Sequence, residues 1–248
     1  MNTPTLCCYL SQCAYKDKEE LKLKEVKNFS NLNVYDSDLD AQCFTVIIEE
    51  KLYIVFRGTE SFRDCLADAN IIQVPMDLDN YNEKRPEVHW GFLRQFRSLQ
   101  PDIEKDIEKF EGTNIIIAGH SLGAGQCTLA GLAFSFKYPL DTFSCYTYGS
   151  PRVGDNRFRK IFNKNIRVHR RFVNEDDPVT MIPLPWRYKH VSKLQFINKK
   201  DEIKNSIPYI RWKSFFEEYF TYLWGDNSSP VKDHACSAYL EKLKKNDV

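Results

Sequence analysis

The stretch that most limits how this chain can fold is Asn114–Ala118, NIIIA, followed at once by Gly119-His120-Ser121-Leu122-Gly123. A short apolar run without alternation suits a central strand buried on both faces, the environment of a parallel sheet. The segment Gly125–Lys137 is rich in small residues and reads as a helix. Strand and helix are therefore joined by a G-x-S-x-G turn. Its glycines have a steric reason: strand end and helix start nearly touch, and a Cβ at 119 or 123 would collide there. Such a turn strains the backbone at Ser121 and thrusts its hydroxyl out of the sheet. A helix N-terminus beneath it favours developing negative charge, so the setting is that of a nucleophile. The bare pattern is frequent by chance, and the flanking strand and helix give it weight.

The rest of the chain reads as a sheet built around that strand. Cys43–Glu49 and Lys51–Phe56 predict a hairpin. Glu60–Asn70 predicts a short helix with Phe62, Cys65, Leu66 and Ala69 on one face, docked on the core or mobile as a lid. Met76–Glu87 reads as a loop and Gly91–Phe110 as a helix that Pro101 breaks or kinks. Phe143–Tyr148, Arg167–Val173 and Tyr188–Ile197 predict strands, with a helix closing at Arg159–Asn163 and another over Ala235–Lys245. The charged stretch Lys16–Lys27 predicts a solvated helix. Strand–helix alternation in the second half implies βαβ units and a mostly parallel sheet, the hairpin adding antiparallel strands at one side. Residues 206–225 carry a stripe of Trp212, Phe215, Phe216, Tyr219, Phe220 and Leu223, with Ser206 as cap. Core packing is its ordinary meaning; an acyl pocket or a membrane surface is the functional one.

Composition narrows the class. The 248 residues carry 35 Lys+Arg against 34 Asp+Glu, without the basic excess of a nucleic-acid binder. Arg167, Arg170 and Arg171 with Lys160 and Lys164 read as a solvated face, the alternative being contact with anionic head groups. None of the eight cysteines falls in a CxxC or zinc spacing, and no metal or nucleotide motif is present. Met1–Leu10 lacks the basic start of a signal peptide, and no run reaches the length of a membrane span. The expectation is an intracellular chain with reduced thiols, secretion remaining open.

A serine nucleophile needs a base, and the base an orienting acid. Where an elbow of this kind carries the serine, acid and then histidine follow in chain order. The strand Arg167–Val173 runs into Asn174-Glu175-Asp176-Asp177-Pro178, and the carboxyl end of a parallel strand is where sites gather. Asp177, biased to extended backbone by Pro178, competes with Asp176 and Glu175, and a plain acidic turn competes with all three. Of five histidines, His89 and His120 precede the serine and His169 sits mid-strand before the acid, which leaves His190 and His234.

Several pieces together go further. Ile54-Val55-Phe56-Arg57-Gly58-Thr59, Ser61-Phe62-Arg63-Asp64 to Asp68, His89-Trp90-Gly91-Phe92, the Gly119–Gly123 turn, Tyr148–Gly154, Asn174–Val179, and Asp233-His234 with Tyr239 come in the order of one family. Over roughly Phe44 to Leu240 the chain resembles the class 3 lipases, α/β-hydrolases of fungi and plants. Cys65 stands near the place where fungal members often carry a lid tryptophan. The resemblance implies one α/β-hydrolase domain over 1–248, with residues 60–70 as lid. It implies Ser121 as nucleophile, His234 as base and then acid, and Asp177 as the group orienting His234. The backbone N–H groups of Thr59 and Leu122 would form the oxyanion hole. No cofactor and no metal are implied. The implied reaction is hydrolysis of a lipid carboxylic ester, acylglycerol or phospholipid, through an acyl-serine. The implied partners are that substrate and, peripherally, a lipid surface, with no nucleic acid. A thioesterase or other acyl hydrolase shares the same chemistry, and a catalytically silent lipase-like module is the non-enzymatic alternative.

Overall fold

The computed structural model describes residues 1–59, 72–191, 193–206 and 232–247. The expected lid helix at 60–70 and the aromatic segment after Ser206 lie outside these described residues.

The hairpin forms as predicted. Strands β2 (Gln42–Ile48) and β3 (Lys51–Phe56) are antiparallel, with Ile48 opposite Lys51. Glu49 and Glu50 both take positive φ, 48° and 60°, the paired left-handed turn whose twist matches that of the strands it joins. An outer strand β1 (Ser30–Asp36) pairs antiparallel with β2. Two three-residue strands, β4 (Gln73–Pro75) and β5 (Glu87–His89), make a separate ribbon around the loop predicted at 76–87.

β6 (Asn114–His120) is the central strand. It lies parallel to β3 on one side and to β7 (Thr142–Tyr148) on the other. β8 (Val168–Asn174) and β9 (Leu194–Ile197) continue the parallel set, and β10 (Ile203–Lys204) closes it antiparallel. The eight-stranded order is β1-β2-β3-β6-β7-β8-β9-β10, so antiparallel strands occupy both edges. This is the α/β-hydrolase arrangement, a mostly parallel sheet flanked by helices.

The apolar run in β6 is explained by what covers it. Ile115 and Ile117 face a core with Phe92 and Phe96 of α2 (Trp90–Lys109), Leu129 of α3 (Leu122–Lys137) and Phe158 of α4 (Asn156–Asn165). Ile116 and Ala118 face the opposite core, with Leu10 of α1 (Thr3–Cys13) and Leu240 of α5 (Cys236–Lys245). Period-two alternation meeting apolar layers on both sides leaves no position for a polar residue between Ile115 and Ala118.

Three expectations are corrected. The N-terminal helix is Thr3–Cys13 and not Lys16–Lys27. Asn2 caps it, its side chain accepting the Thr5 N–H, and Cys7, Cys8 and Leu10 bury themselves. Residues 17–27 form turns; their buried leucines, Leu21 and Leu23, stand two apart and supply no helical stripe. Pro101 does not break α2, because it lies on the exposed side, where water can take the carbonyl its missing N–H leaves unbonded. The strand predicted over Tyr188–Ile197 shrinks to Leu194–Ile197, and Lys189 instead makes an isolated bridge to Gly154.

Candidate active site

The turn between β6 and α3 has the predicted strain. Ser121 adopts φ 58° and ψ −126° at the N-cap of α3 without using its side chain as a cap. Its N–H is held by the Tyr148 carbonyl at 2.9 Å. A Cβ on Gly119 would run into the Gly123 carbonyl, and one on Gly123 into the Phe56 carbonyl. Only glycine fits at either place, and the hydroxyl of Ser121 is left to point away from its own helix.

A histidine waits for it. Nε2 of His234 lies 2.9 Å from Ser121 Oγ, and its Nδ1 lies 3.0 Å from both carboxylate oxygens of Asp177. Asp177 also accepts the Val179 N–H at 2.9 Å and the Tyr239 hydroxyl at 2.6 Å. A carboxylate accepting these bonds fixes the proton of a neutral His234 on Nδ1. Nε2 is then an acceptor aimed at the Ser121 hydroxyl, which is the arrangement a general base requires. Ser121 is 1% exposed, Asp177 0% and His234 7%, so the three groups interact with little solvent screening.

The competing residues fall elsewhere. Glu175 pairs with Lys242 on α5. His190 donates from Nε2 to the Thr180 carbonyl at 2.6 Å. His169 is buried against Phe162, with Thr147 3.3 Å from its Nε2. His89 caps α2 and stacks on Phe92, and burial pushes its imidazole down to about 4.

The sequence between Tyr53 and Trp186 matches the family model described as Lipase (class 3), which spans residues 53–186. The chain belongs to the class 3 lipase family. A lipase of Rhizomucor miehei is 31% identical over 178 residues, 69% of this chain and 47% of that protein. Secreted mono- and diacylglycerol lipase A of Penicillium camembertii is 32% identical over 145 residues, 56% of this chain and 45% of that protein. The chain thus spans about half the length, or less, of such relatives. Among solved structures, Rhizomucor miehei triacylglyceride lipase superposes with a TM-score of 0.69 at 23% identity, covering 83% of this chain and 84% of that one. Lipase II of Rhizopus niveus gives 0.67 at 25%, covering 78% and 79%.

Other family pieces of this lipase-like chain surround the triad. Gly149, in the Tyr148–Gly154 loop, has φ +59°, and a Cβ there would sit 2.8 Å from Asp177 Oδ2 and 2.9 Å from His234 Nδ1. Arg152 ties the same loop to the carbonyls of Met181 and Pro183. Leu122 is the first residue of α3, so its N–H has no partner within the helix. Phe56 pairs with Gly119, and Gly58, the residue before Thr59, lies against the His120 carbonyl. The Tyr239 hydroxyl bridges Asp177 and the Asn174 N–H, which it accepts at 2.9 Å. No sequence signal beyond its family position marked Tyr239, because the pairing depends on how α5 docks.

The basic cluster is divided. Arg171 is buried and Arg170 exposed, as neighbours on a strand must face opposite sides. A cavity of about 850 Å³ beside β8 and β9 is lined by Arg159, Arg167, Arg171, Lys193 and His190, and by no residue of the triad. Seven cysteines among the described residues are free thiols, and burial pushes those of Cys7, Cys8, Cys43 and Cys127 upward, which keeps them protonated and unreactive.

Proposed function

We propose that this chain is a serine hydrolase cleaving carboxylic esters of lipids, acylglycerols or phospholipids, with Ser121, His234 and Asp177 as its triad. One observation carries the reading: Ser121 Oγ stands 2.9 Å from a His234 nitrogen whose other ring nitrogen is bound to the buried Asp177. In the first step Oγ attacks the ester carbonyl while Nε2 takes its proton. Asp177 stabilises the imidazolium so formed. The oxyanion is received by the N–H groups of Leu122 and Thr59, each such donor contributing about 3 kcal/mol in a dry site. His234 returns the proton to the leaving alkoxide, and water repeats the sequence on the acyl-serine. Relatives such as that of Penicillium camembertii are secreted lipases; this chain, whose buried cysteines suit a reducing compartment, would act inside the cell and meet its substrate at a lipid surface.

The test is labelling by a fluorophosphonate, with hydrolysis of a short-chain nitrophenyl ester, on wild type and Ser121→Ala. Wild type labels and turns over; the variant does neither. Folded wild-type protein that fails to label overturns the reading. A panel of acylglycerols, phospholipids and acyl thioesters then assigns the acyl donor.

A further inference from the structure

We infer that His120 is a positioning residue for the His234 base, holding its backbone in place, with Tyr15 fixing the tautomer that lets it do so. The inference rests on the hydrolase reading of the triad.

Both ring nitrogens of His234 are committed, one to Asp177 and one to Ser121. Those bonds orient the imidazole but do not place the backbone that carries it. Two side chains do. Asn174 donates from Nδ2 to the Asp233 carbonyl at 2.9 Å, and His120 Nε2 lies 2.6 Å from the His234 carbonyl. Consecutive carbonyls of the base loop are thus hung from the last residue of β8 and the last residue of β6. The β6 support is the residue immediately before the nucleophile, so Ser121 and the mounting of its base share one strand end.

The proton order in this support follows from chemistry. A carbonyl has no proton to give, so His120 must carry its hydrogen on Nε2. The His120 ring is buried and lies over that of His234, centroids 4.6 Å apart; burial first, and then the neighbouring His234, push it down to about 3, so it stays neutral. A neutral ring protonated at Nε2 has a lone pair at Nδ1. The Tyr15 hydroxyl, 2.6 Å from Nδ1, is therefore the donor. The chain runs Tyr15 O–H to His120, then His120 N–H to the His234 carbonyl. Room for the hydroxyl exists only because residue 58 is glycine: a Cβ there would occupy the place of Tyr15 Oη. The segment following α1 thereby reaches the catalytic turn.

The experiment compares wild type, His120→Leu, His120→Gln and Tyr15→Phe on a soluble nitrophenyl ester, with active-site titration to count competent sites. His120→Leu should lower kcat by about 10- to 100-fold at nearly constant KM, since a base displaced by about 1 Å costs on the order of a hundredfold. His120→Gln, whose amide offers an N–H to the His234 carbonyl and an oxygen to the Tyr15 hydroxyl, should recover most of that loss, and Tyr15→Phe should fall between. A glutamine variant no better than leucine, or a leucine variant with fewer competent sites but unchanged kcat per site, overturns the inference. Nitrogen-15 NMR of the histidines needs no turnover. It should show His120 protonated at Nε2 alone, and the His234–Asp177 proton resonance should shift in His120→Leu. The opposite tautomer or an unmoved resonance refutes the support even in a protein that hydrolyses nothing, whereas wild type that neither labels nor turns over refutes the hydrolase reading instead.

Discussion

Gly149→Ala is the sharpest single perturbation of the triad that leaves all three of its residues in place. A methyl at this position would sit 2.8 Å from Asp177 Oδ2 and 2.9 Å from both Cε1 and Nδ1 of His234. Comfortable contact is about 3.5 Å, so the methyl and the His–Asp couple must part by roughly 0.6 Å. Asp177 cannot easily retreat, because the Val179 N–H and Tyr239 O–H already hold it in a fully buried site. The backbone cannot retreat either without leaving φ +59°, a conformation that costs alanine about 1–2 kcal/mol. Adding overpacking of about 1–3 kcal/mol gives a loss of about 2–5 kcal/mol in stability. Catalysis should suffer separately. A shift of the base by about half an ångström predicts a kcat lower by about 10-fold or more, against about 100-fold for a full ångström. The assay is kcat per titrated site on a soluble ester, beside a urea melt. A folded Gly149→Ala protein that keeps kcat within twofold would show that the His–Asp couple has slack the geometry denies, and the packing argument would fall.

Three further outcomes can be checked with the same assays. Asp177→Asn keeps the shape but puts an amide opposite Nδ1 and favours the wrong His234 tautomer, so kcat should drop by about 10³–10⁴-fold with the fold intact; a loss under tenfold would remove Asp177 from its orienting role. Tyr239→Phe leaves the buried Asn174 N–H without its acceptor, for about 1–3 kcal/mol and a Tm lower by several degrees; an unchanged melt would mean that water replaces the hydroxyl. Stability should also fall with acid. His89 and His120 are held near 4 and 3 in the fold but take protons near 6.5 when unfolded, so the unfolded chain binds more protons below that pH. Their contribution is complete above pH 6.5 and is lost as pH falls toward 3, about 2 kcal/mol for each histidine by pH 5. Urea melts at pH 7.5 and 5.0 should show it, and a His120→Gln variant with an undiminished pH slope would contradict it.

What could be read in the sequence is what local physics decides. The NIIIA strand, the glycines of the turn and the hairpin at Glu49-Glu50 each carry their cause within a few residues, and each is found where expected. What escaped depends on partners far along the chain. β1 reads SNLNVYD, mostly half-exposed, and is a strand because β2 offers it an edge. The stretch 16–27 looks helical by charge, yet the helix belongs to the cysteine-rich residues before it, which have a sheet face to cover. The site divides the same way. Chain order picked out histidines by the reaction they could perform and so discarded His120, which comes one residue before the nucleophile. Its position in the chain bars it from being the base, but not from holding the base: the strand that presents Ser121 also presents, one residue earlier and 2.6 Å from the His234 carbonyl, the group that keeps His234 within reach of it. A motif reading assigns that residue the letter x; the hydrogen bonds assign it a task that leucine could not perform and glutamine could.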